Sequence, residues 1–302
     1  MNVGYLGRKP VTFGYEAATQ MRGDSYVGFG THGEIYESVR EGIVDVGVLA
    51  VENQLAGEVD ESLHAVVQPI VDEADRLEGT RTHVKIVQEL TVPVRLFLMN
   101  QSGKEEDVEL VMTHAVPMRQ AKGALDRLRG ERPIRLETCA STDAAAAVAS
   151  QRSEVAAISS QLALDVYGLT SLGRVDDPVP GGQYHNVTRF WVIEKGDAAQ
   201  WDEGTSLPGD EAVKVCLLFN LDRDQAGGLA RSLRVFSEAE VNLAGIHSLP
   251  RRDRSWEYAF VVEFEVQRAA MGAVAGALKE LRAVADYTLL GVYPKAASEA
   301  GA

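Results

Sequence analysis

The sequence predicts an α/β protein in two parts: a main domain with mostly parallel sheets, then a smaller unit of βαββαβ order. Three observations carry this. Apolar, strand-like runs feed helix-like runs repeatedly through residues 1–195. The stretch from Glu194 to Ala212, EKGDAAQWDEGTSLPGDEA, is rich in Gly, Asp, Glu and Ser, holds Pro208 and lacks apolar periodicity, as an exposed linker does. Residues 213–294 then run strand, helix, strand, strand, helix, strand, the ferredoxin-like order in which an antiparallel sheet carries its helices on one face. The boundaries that follow are a main domain over 1–195, a linker over 196–212, the C-terminal unit over 213–294 and a tail over 295–302.

Taken in order, NVGYLG is a short strand ending in glycine, and a helix follows around GYEAATQMR. IYESVREGIVDVGVLAVEN reads as a helix, a turn at Gly42 and a buried strand stopping at Glu52-Asn53. TVPVRLFLMN is one strand and DVELVMTH another; AVPMRQAKGALDRLRG is a single helix capped by Thr113. IRLETCA then STDAAAAVASQ repeat the strand-to-helix step, with Ser141 or Thr142 as the cap. VAAISSQLALDVYGL and TRFWVI complete the domain. In the C-terminal unit, VKVCLLFNL is a strand, and GGLARSLRVFSEAE is an amphipathic helix with Leu229, Leu233 and Phe236 on one face. VNLAGIHSLP and WEYAFVVEFEV are strands around a hairpin tip at RRDRS; MGAVAGALKELRAV is a helix and DYTLLGVYP the last strand.

Composition narrows the function. A formal charge of −14 argues against non-specific nucleic-acid binding, which needs clustered Lys and Arg. It leaves room for a small anion in a local cationic pocket, because charges are screened over about 8 Å at physiological salt. No run approaches the roughly 18–20 apolar residues of a membrane span, and the opening residues do not resemble a secretory signal, so a cytoplasmic protein is expected. Cys139 and Cys216 read as buried structural thiols, and the six histidines show no ligand spacing, so no metal site is expected.

Four polar clusters fall at strand-to-helix junctions: GYLGRKPVTF, VENQLAGEV, CASTDAAAA and the HNVTRF that opens at His185. Each alone reads most simply as a cap or turn. Their recurrence at the same kind of position suggests one cleft lined by hydroxyls, amides and helix ends, with Arg189 as a candidate carboxylate clamp.

These segments resemble the prephenate dehydratase family along nearly the whole chain. The family's Thr-Arg-Phe signature stands at Thr188-Arg189-Phe190 after Asn186, and its Gly-Tyr-Leu-Gly opening stands at Gly4 to Gly7 with Thr12-Phe13 following. EIYESVREGIVDVGVLAVENQLAGEVDESL, STDAAAAVA and VAAISSQLALDVYGL are similar to three further segments in order. NLAGI, WEY and LGVYP make the C-terminal unit look like the family's ACT regulatory domain.

The resemblance implies a two-lobed, periplasmic-binding-protein-like catalytic domain followed by the ferredoxin-like ACT domain. Lobe 1 would cover about 1–95 and 176–195, and lobe 2 about 96–175. It implies conversion of prephenate to phenylpyruvate, water and carbon dioxide without a cofactor; the exposed edge of a small ferredoxin-like sheet separately leads to the expectation of a homodimer or homotetramer. Thr188 is then the donor to the departing hydroxyl, and Asn53 orients substrate or holds the cleft. Arg189 grips a substrate carboxylate or pairs with Glu52 or Asp176. Thr12, Ser141 and Thr142 are carboxylate binders or helix caps, while Glu52, Gln54, Asn186 and Phe190 line the substrate site. His185 is a loop residue and His114 structural. Gly228, Leu229, Asn242, His247 and Ser248 mark the region where an amino-acid effector would bind.

The chain departs from the family's pattern at several of these places. Gln54 stands for the serine of Glu-Asn-Ser and Ala50 for the proline before it. The GRKPVTF loop carries one extra residue with Arg8 and Lys9, Arg95 replaces a common histidine, and a segment near VDEADRLEGTRTH looks inserted. His247-Ser248-Leu249-Pro250 replaces Glu-Ser-Arg-Pro, the motif associated with phenylalanine, so weakened, changed or absent inhibition is expected. Arogenate or an amino analogue as substrate, non-aromatising decarboxylation, and a non-catalytic sensor are the competing readings.

Overall fold

In the computed structural model the chain is described over residues 1–73, 84–176, 186–197, 201, 212–221, 226–251, 256–267 and 270–295. His185, most of the 196–212 linker, the hairpin tip at 252–255, the inserted-looking segment at 74–83 and the tail after 295 lie outside these residues.

Lobe 1 begins with β1 (Asn2–Leu6), α1 (Phe13–Gln20), β2 (Ser25–Phe29), α2 (His32–Glu41) and β3 (Val46–Asn53). The helix starts are set by hydroxyl caps: Thr12 accepts from the Tyr15 amide and Thr31 from the Glu34 amide. Gly42 closes α2 in the left-handed region at φ 77°, which a side chain would strain. A two-residue strand, β4 (Gly57–Glu58), folds back on β3, followed by α3 (Asp60–Glu73) and β5 (Val84–Pro93). Neither β2 nor α3 was foreseen. β2 is too exposed to show an apolar alternation, and α3 carries Pro69 within it.

Lobe 2 follows as β6 (Phe97–Asn100), β7 (Leu110–Thr113), α4 (Ala115–Gln120), α5 (Lys122–Glu131), β8 (Arg135–Thr138), α6 (Thr142–Ala149), β9 (Val155–Ser159), α7 (Leu162–Tyr167) and β10 (Thr170–Arg174). The single strand expected over TVPVRLFLMN is two strands in different sheets. Between them Val94 to Leu96 pass from one lobe to the other beside the returning chain: the Val94 amide donates to the Asn186 carbonyl, and the Leu96 amide to Asp176. The crossing falls at Pro93 and the exposed Arg95, which within an apolar run also fit the outer face of a single strand. The long helix expected over 115–130 is likewise two helices. Its cap is His114, whose ring accepts from the Val116 amide, while the Thr113 hydroxyl is buried and donates to the Ile158 carbonyl.

The chain re-enters lobe 1 as β11 (Val187–Lys195), inserted antiparallel between β3 and β5. Parallel pairs join β1 to β2 and β3, and β7 to β8 and β9; β6, β10 and β11 run antiparallel. The ends of β1, β3 and β5 and the start of β11 therefore meet at one edge of lobe 1, facing lobe 2.

The C-terminal unit is β12 (Val213–Leu221), α8 (Gly228–Glu238), β13 (Leu243–Pro250), β14 (Tyr258–Val266), α9 (Met271–Leu281) and β15 (Ala285–Pro294), as expected. Its sheet is not separate from lobe 1. β15 lies against β5 at Gly291 and Ile86, making one ten-stranded sheet with β13 at its outer edge. A Cβ on Gly291 would sit 2.5 Å from the Ile86 carbonyl oxygen, so this join requires glycine. One face of the C-terminal sheet is covered by α8 and α9 through Val215, Phe219, Phe236 and Phe264. The other packs Cys216, Leu218, Leu249 and Tyr293 onto Ile35, Val66, Ile70 and Trp191 of lobe 1. Among the described residues no helix is long and apolar enough to cross a membrane, and no cluster of three or more His, Cys, Asp or Glu side chains could hold a metal ion.

Candidate active site

Strand periodicity decides where the signature residues point. β11 begins at Val187, so Thr188 and Arg189 lie inside the strand and project from opposite faces. Phe190 and Val192, on the Thr188 side, pack with Tyr5, Val48 and Val92 beneath α1. Trp191 and Ile193, on the Arg189 side, pack toward α2, α3 and the C-terminal unit. Of the two roles expected for Arg189, a carboxylate grip beside Thr188 meets this alternation, which turns the two side chains to opposite faces.

Thr188 is buried and opposite Asn53 in the β11–β3 ladder. The Asn53 amide nitrogen donates to the Thr188 hydroxyl oxygen at 3.0 Å and to the Asn186 side-chain oxygen at 2.8 Å. Its own oxygen accepts from the backbone amides of Leu55 and Ala56, at 3.1 and 2.9 Å, which holds the β3–β4 turn around it. It also receives a long contact, 3.4 Å, from the Gln120 amide of α4 in lobe 2. Asn53 thus links both lobes at the cleft. The Asn186 amide nitrogen is buried without a partner among the described residues. Gln120 gave no sequence signal, since a glutamine at the end of a helix reads as surface.

Other candidates have plainer surroundings. The Thr12 hydroxyl donates to the Leu6 carbonyl and accepts from Tyr15, and Ser141 caps α6 by accepting from the Ala144 amide, with Thr142 the first residue of that helix. Phe190 is 2% exposed, in the core under the site rather than on its surface. Gln54 is exposed, and its backbone amide donates to the Val187 carbonyl. The loop after β1 also ties the lobes together. Val11 is buried among lobe 2 residues, its carbonyl accepts from Ser160 at 2.6 Å, and Lys9 sits 4.3 Å over the Tyr167 ring. The Tyr167 hydroxyl in turn donates to Asp143, and burial together with that carboxylate raises its pKa.

Arg189 belongs to a buried ionic cluster between the domains. It reaches Glu52 at 3.1 Å, Glu89 of β5 at 2.9 Å and Glu263 of β14 at 2.7 Å. Lys214 of β12 neutralises Glu89 at 2.7 and 3.0 Å, and the Trp191 ring nitrogen donates to Glu263 at 3.1 Å. Burial opposes the guanidinium charge, but Glu263 and Glu89 outweigh it and its pKa is raised. Of the two roles expected for Arg189, the contacts seen are those with Glu52 and two further carboxylates; Asp176 pairs with Arg174 instead. Glu89, Lys214 and Glu263 did not figure among the sequence candidates. Their signal was a single charge inside an apolar strand, which burial without a partner forbids.

In the C-terminal unit, Gly228 opens α8 and Leu229 packs on its core, while Asn242 and Ser248 are exposed. His247 points the other way from Ser248, toward lobe 1, where its Nδ1 lies 2.9 Å from Glu58 of β4. The two line a cavity of about 20 Å³ with Val51, Asp60, Leu63, Arg189 and Trp191, room for about one water molecule.

A family profile described as prephenate dehydratase matches residues 3–198. The bifunctional chorismate mutase/prephenate dehydratase of Aquifex aeolicus is 31% identical over 301 residues, covering 98% of this chain and 74% of that one. Among solved structures, one described as a novel type of quorum quenching acylase superposes with a TM-score of 0.78 at 25% identity, covering 99% of both chains. The prephenate dehydratase of Arthrobacter aurescens, solved in complex with L-Phe, also gives 0.78, at 24% identity, over 98% of this chain and 90% of that one.

Proposed function

The chain belongs to the prephenate dehydratase family and is a carbon–oxygen lyase of phenylalanine biosynthesis; on that premise we propose that Thr188, held by Asn53, carries the conversion of prephenate to phenylpyruvate. The observation that supports this most directly is the 3.0 Å bond from the Asn53 amide into the Thr188 oxygen. A hydroxyl whose oxygen already accepts has its proton left to give, and among the described residues no acceptor takes it. Asn53 thereby makes Thr188 a donor of fixed direction.

The reaction needs little else. The ring carbon–hydroxyl bond breaks as the ring carboxylate leaves as carbon dioxide, and the electron pair of the broken carbon–carbon bond enters the ring. The departing hydroxyl takes a proton and leaves as water, so one proton is consumed in all. Aromatisation makes the step strongly downhill, and a threonine is too weak an acid to protonate the group unaided. Its part is to stabilise the charge developing on the leaving oxygen and to relay a proton replaced from water. A closed, poorly hydrated cleft favours loss of the carboxylate, whose charge disperses in the transition state. Closure is supported by Gln120, Val11 and Lys9, each of which joins one lobe to the other.

We also propose that L-phenylalanine inhibition is weakened or changed in this chain, because His247 and Leu249 stand where the family carries Glu and Arg. His247 is turned toward Glu58, and Leu249 is in the core.

Purified protein incubated with prephenate should form phenylpyruvate, and Thr188→Ala should lower turnover by roughly 10²–10⁴, the range of a positioned proton donor. Near-normal turnover in the variant would remove Thr188 from its role. A non-aromatic decarboxylated acid, or turnover of arogenate in place of prephenate, would reassign the substrate or outcome.

A further inference from the structure

The C-terminal domain touches the residues flanking the two catalytic side chains, at two separate points. The first is Glu263, 3% exposed, which binds Arg189 at 2.7 Å through one carboxylate oxygen and the Trp191 ring nitrogen at 3.1 Å through the other. Both partners lie on β11, one immediately after Thr188 and one three residues on. The carboxylate therefore fixes the strand that presents the Thr188 hydroxyl. The second is His247, whose Nδ1 lies 2.9 Å from Glu58. Glu58 forms half of β4, which pairs Glu58 with Glu52 and Gly57 with Asn53. That hairpin is the one whose turn amides hold the Asn53 side chain.

We infer that Glu263 and His247 are positioning residues for the reaction: the C-terminal domain holds Thr188 and Asn53 in mutual register from behind. This rests on the reading of Thr188 and Asn53 given above. The direct bond between them spans two strands, β11 and β3, that meet at a bulge between Arg189 and Phe190. A bulged ladder loses regular pairing where it matters most here, so the register beside it needs support from outside the pair. Glu263 acts on one strand and His247 on the hairpin of the other. Arg189 also bonds Glu52 at 3.1 Å, so the two pins converge on the same two residues of β3. The cavity that His247 and Glu58 line with Arg189 and Trp191 has room for about one water, which leaves little slack around the His247–Glu58 contact.

The test uses the full chain and compares kcat, KM and thermal midpoint. His247→Leu is expected to lower kcat about ten-fold with KM nearly unchanged, as loss of positioning rather than of substrate binding requires. His247→Gln keeps a side-chain donor toward Glu58 and should restore most of the rate. Glu58→Gln should itself lower kcat, and adding His247→Leu to it should cost little more, because both act through one contact. Glu263→Gln, which cannot serve both Arg189 and Trp191 as acceptor, provides the same readout on the other strand. Equal kcat in His247→Leu and the parent, with only the thermal midpoint lowered, would overturn the inference. So would independent, multiplicative effects of the Glu58 and His247 changes. Thr188→Ala is run alongside: full turnover there defeats the catalytic reading itself, whereas a dead Thr188→Ala beside an unaffected His247→Leu defeats only the positioning.

Discussion

Thr188, Phe190 and Val192 on one face of β11 and Arg189, Trp191 and Ile193 on the other come from the same short strand, yet the two faces meet different worlds. The first meets amides, a hydroxyl and the cleft between lobes; its polar contacts are neutral and few. The second is apolar except for one dense ionic cluster shared with the C-terminal domain. The contrast separates two functions that a shared signature motif runs together. The face proposed to carry the chemistry needs a donor with an unoccupied proton, so on that proposal it must leave one group incompletely satisfied. The face that joins domains must satisfy everything, because an unpaired charge at such burial is costly.

The largest effect expected from this division is on stability. Arg189→Met leaves Glu89 and Glu263 buried with only Lys214 opposite them, and should destabilise the fold by about 3–5 kcal/mol in urea unfolding. Thr188→Val, next to it in sequence, keeps shape and should change stability by no more than about 1 kcal/mol while removing turnover. A reversal of that pattern, with Thr188 structural and Arg189 dispensable to stability, would break the two-face description. A smaller effect is expected at Gln120, whose contact with Asn53 is long: Gln120→Ala should lower kcat/KM roughly three- to ten-fold with unchanged unfolding, as loss of one neutral hydrogen bond allows. The smallest signal is expected from L-phenylalanine. Isothermal titration should give no micromolar binding that inhibits turnover, since the residues replacing the family's charged pair face lobe 1 or its core. Micromolar inhibitory binding would show that the effector site does not depend on them.

Much of this was legible in the sequence. The C-terminal βαββαβ order follows from alternating strands and an amphipathic helix, although neither α8 nor α9 carries a side-chain cap. Asn53 and Thr188 were recognisable as candidates through motifs that the family resemblance supplied. What failed to show was mostly a matter of partners. Gln120 is remote from Asn53 in the chain, and nothing in its neighbourhood marks a helix end that reaches across a cleft. The break at the lobe crossing is marked only by Pro93 and the exposed Arg95, and a single charge inside an apolar run reads equally well as the solvent face of one strand. The caps split similarly: Ser141 was one of two adjacent choices, whereas His114 replaced Thr113 because a buried hydroxyl found a carbonyl on the neighbouring strand.

The sequence by itself determined the elements, their order and the chemical types available: hydroxyls and amides at strand ends, a Thr-Arg pair before an apolar run, lone charges inside strands. Local periodicity and capping suffice for these because they act between residues close along the chain. Which side of β11 each residue serves was decided by the tertiary structure. Only when β11 is inserted between β3 and β5, and β15 closes against β5 at Gly291, does one face become the cleft wall and the other a domain interface. The charges of Glu89, Lys214 and Glu263 then come within reach of Arg189, and burial leaves them no alternative but one another.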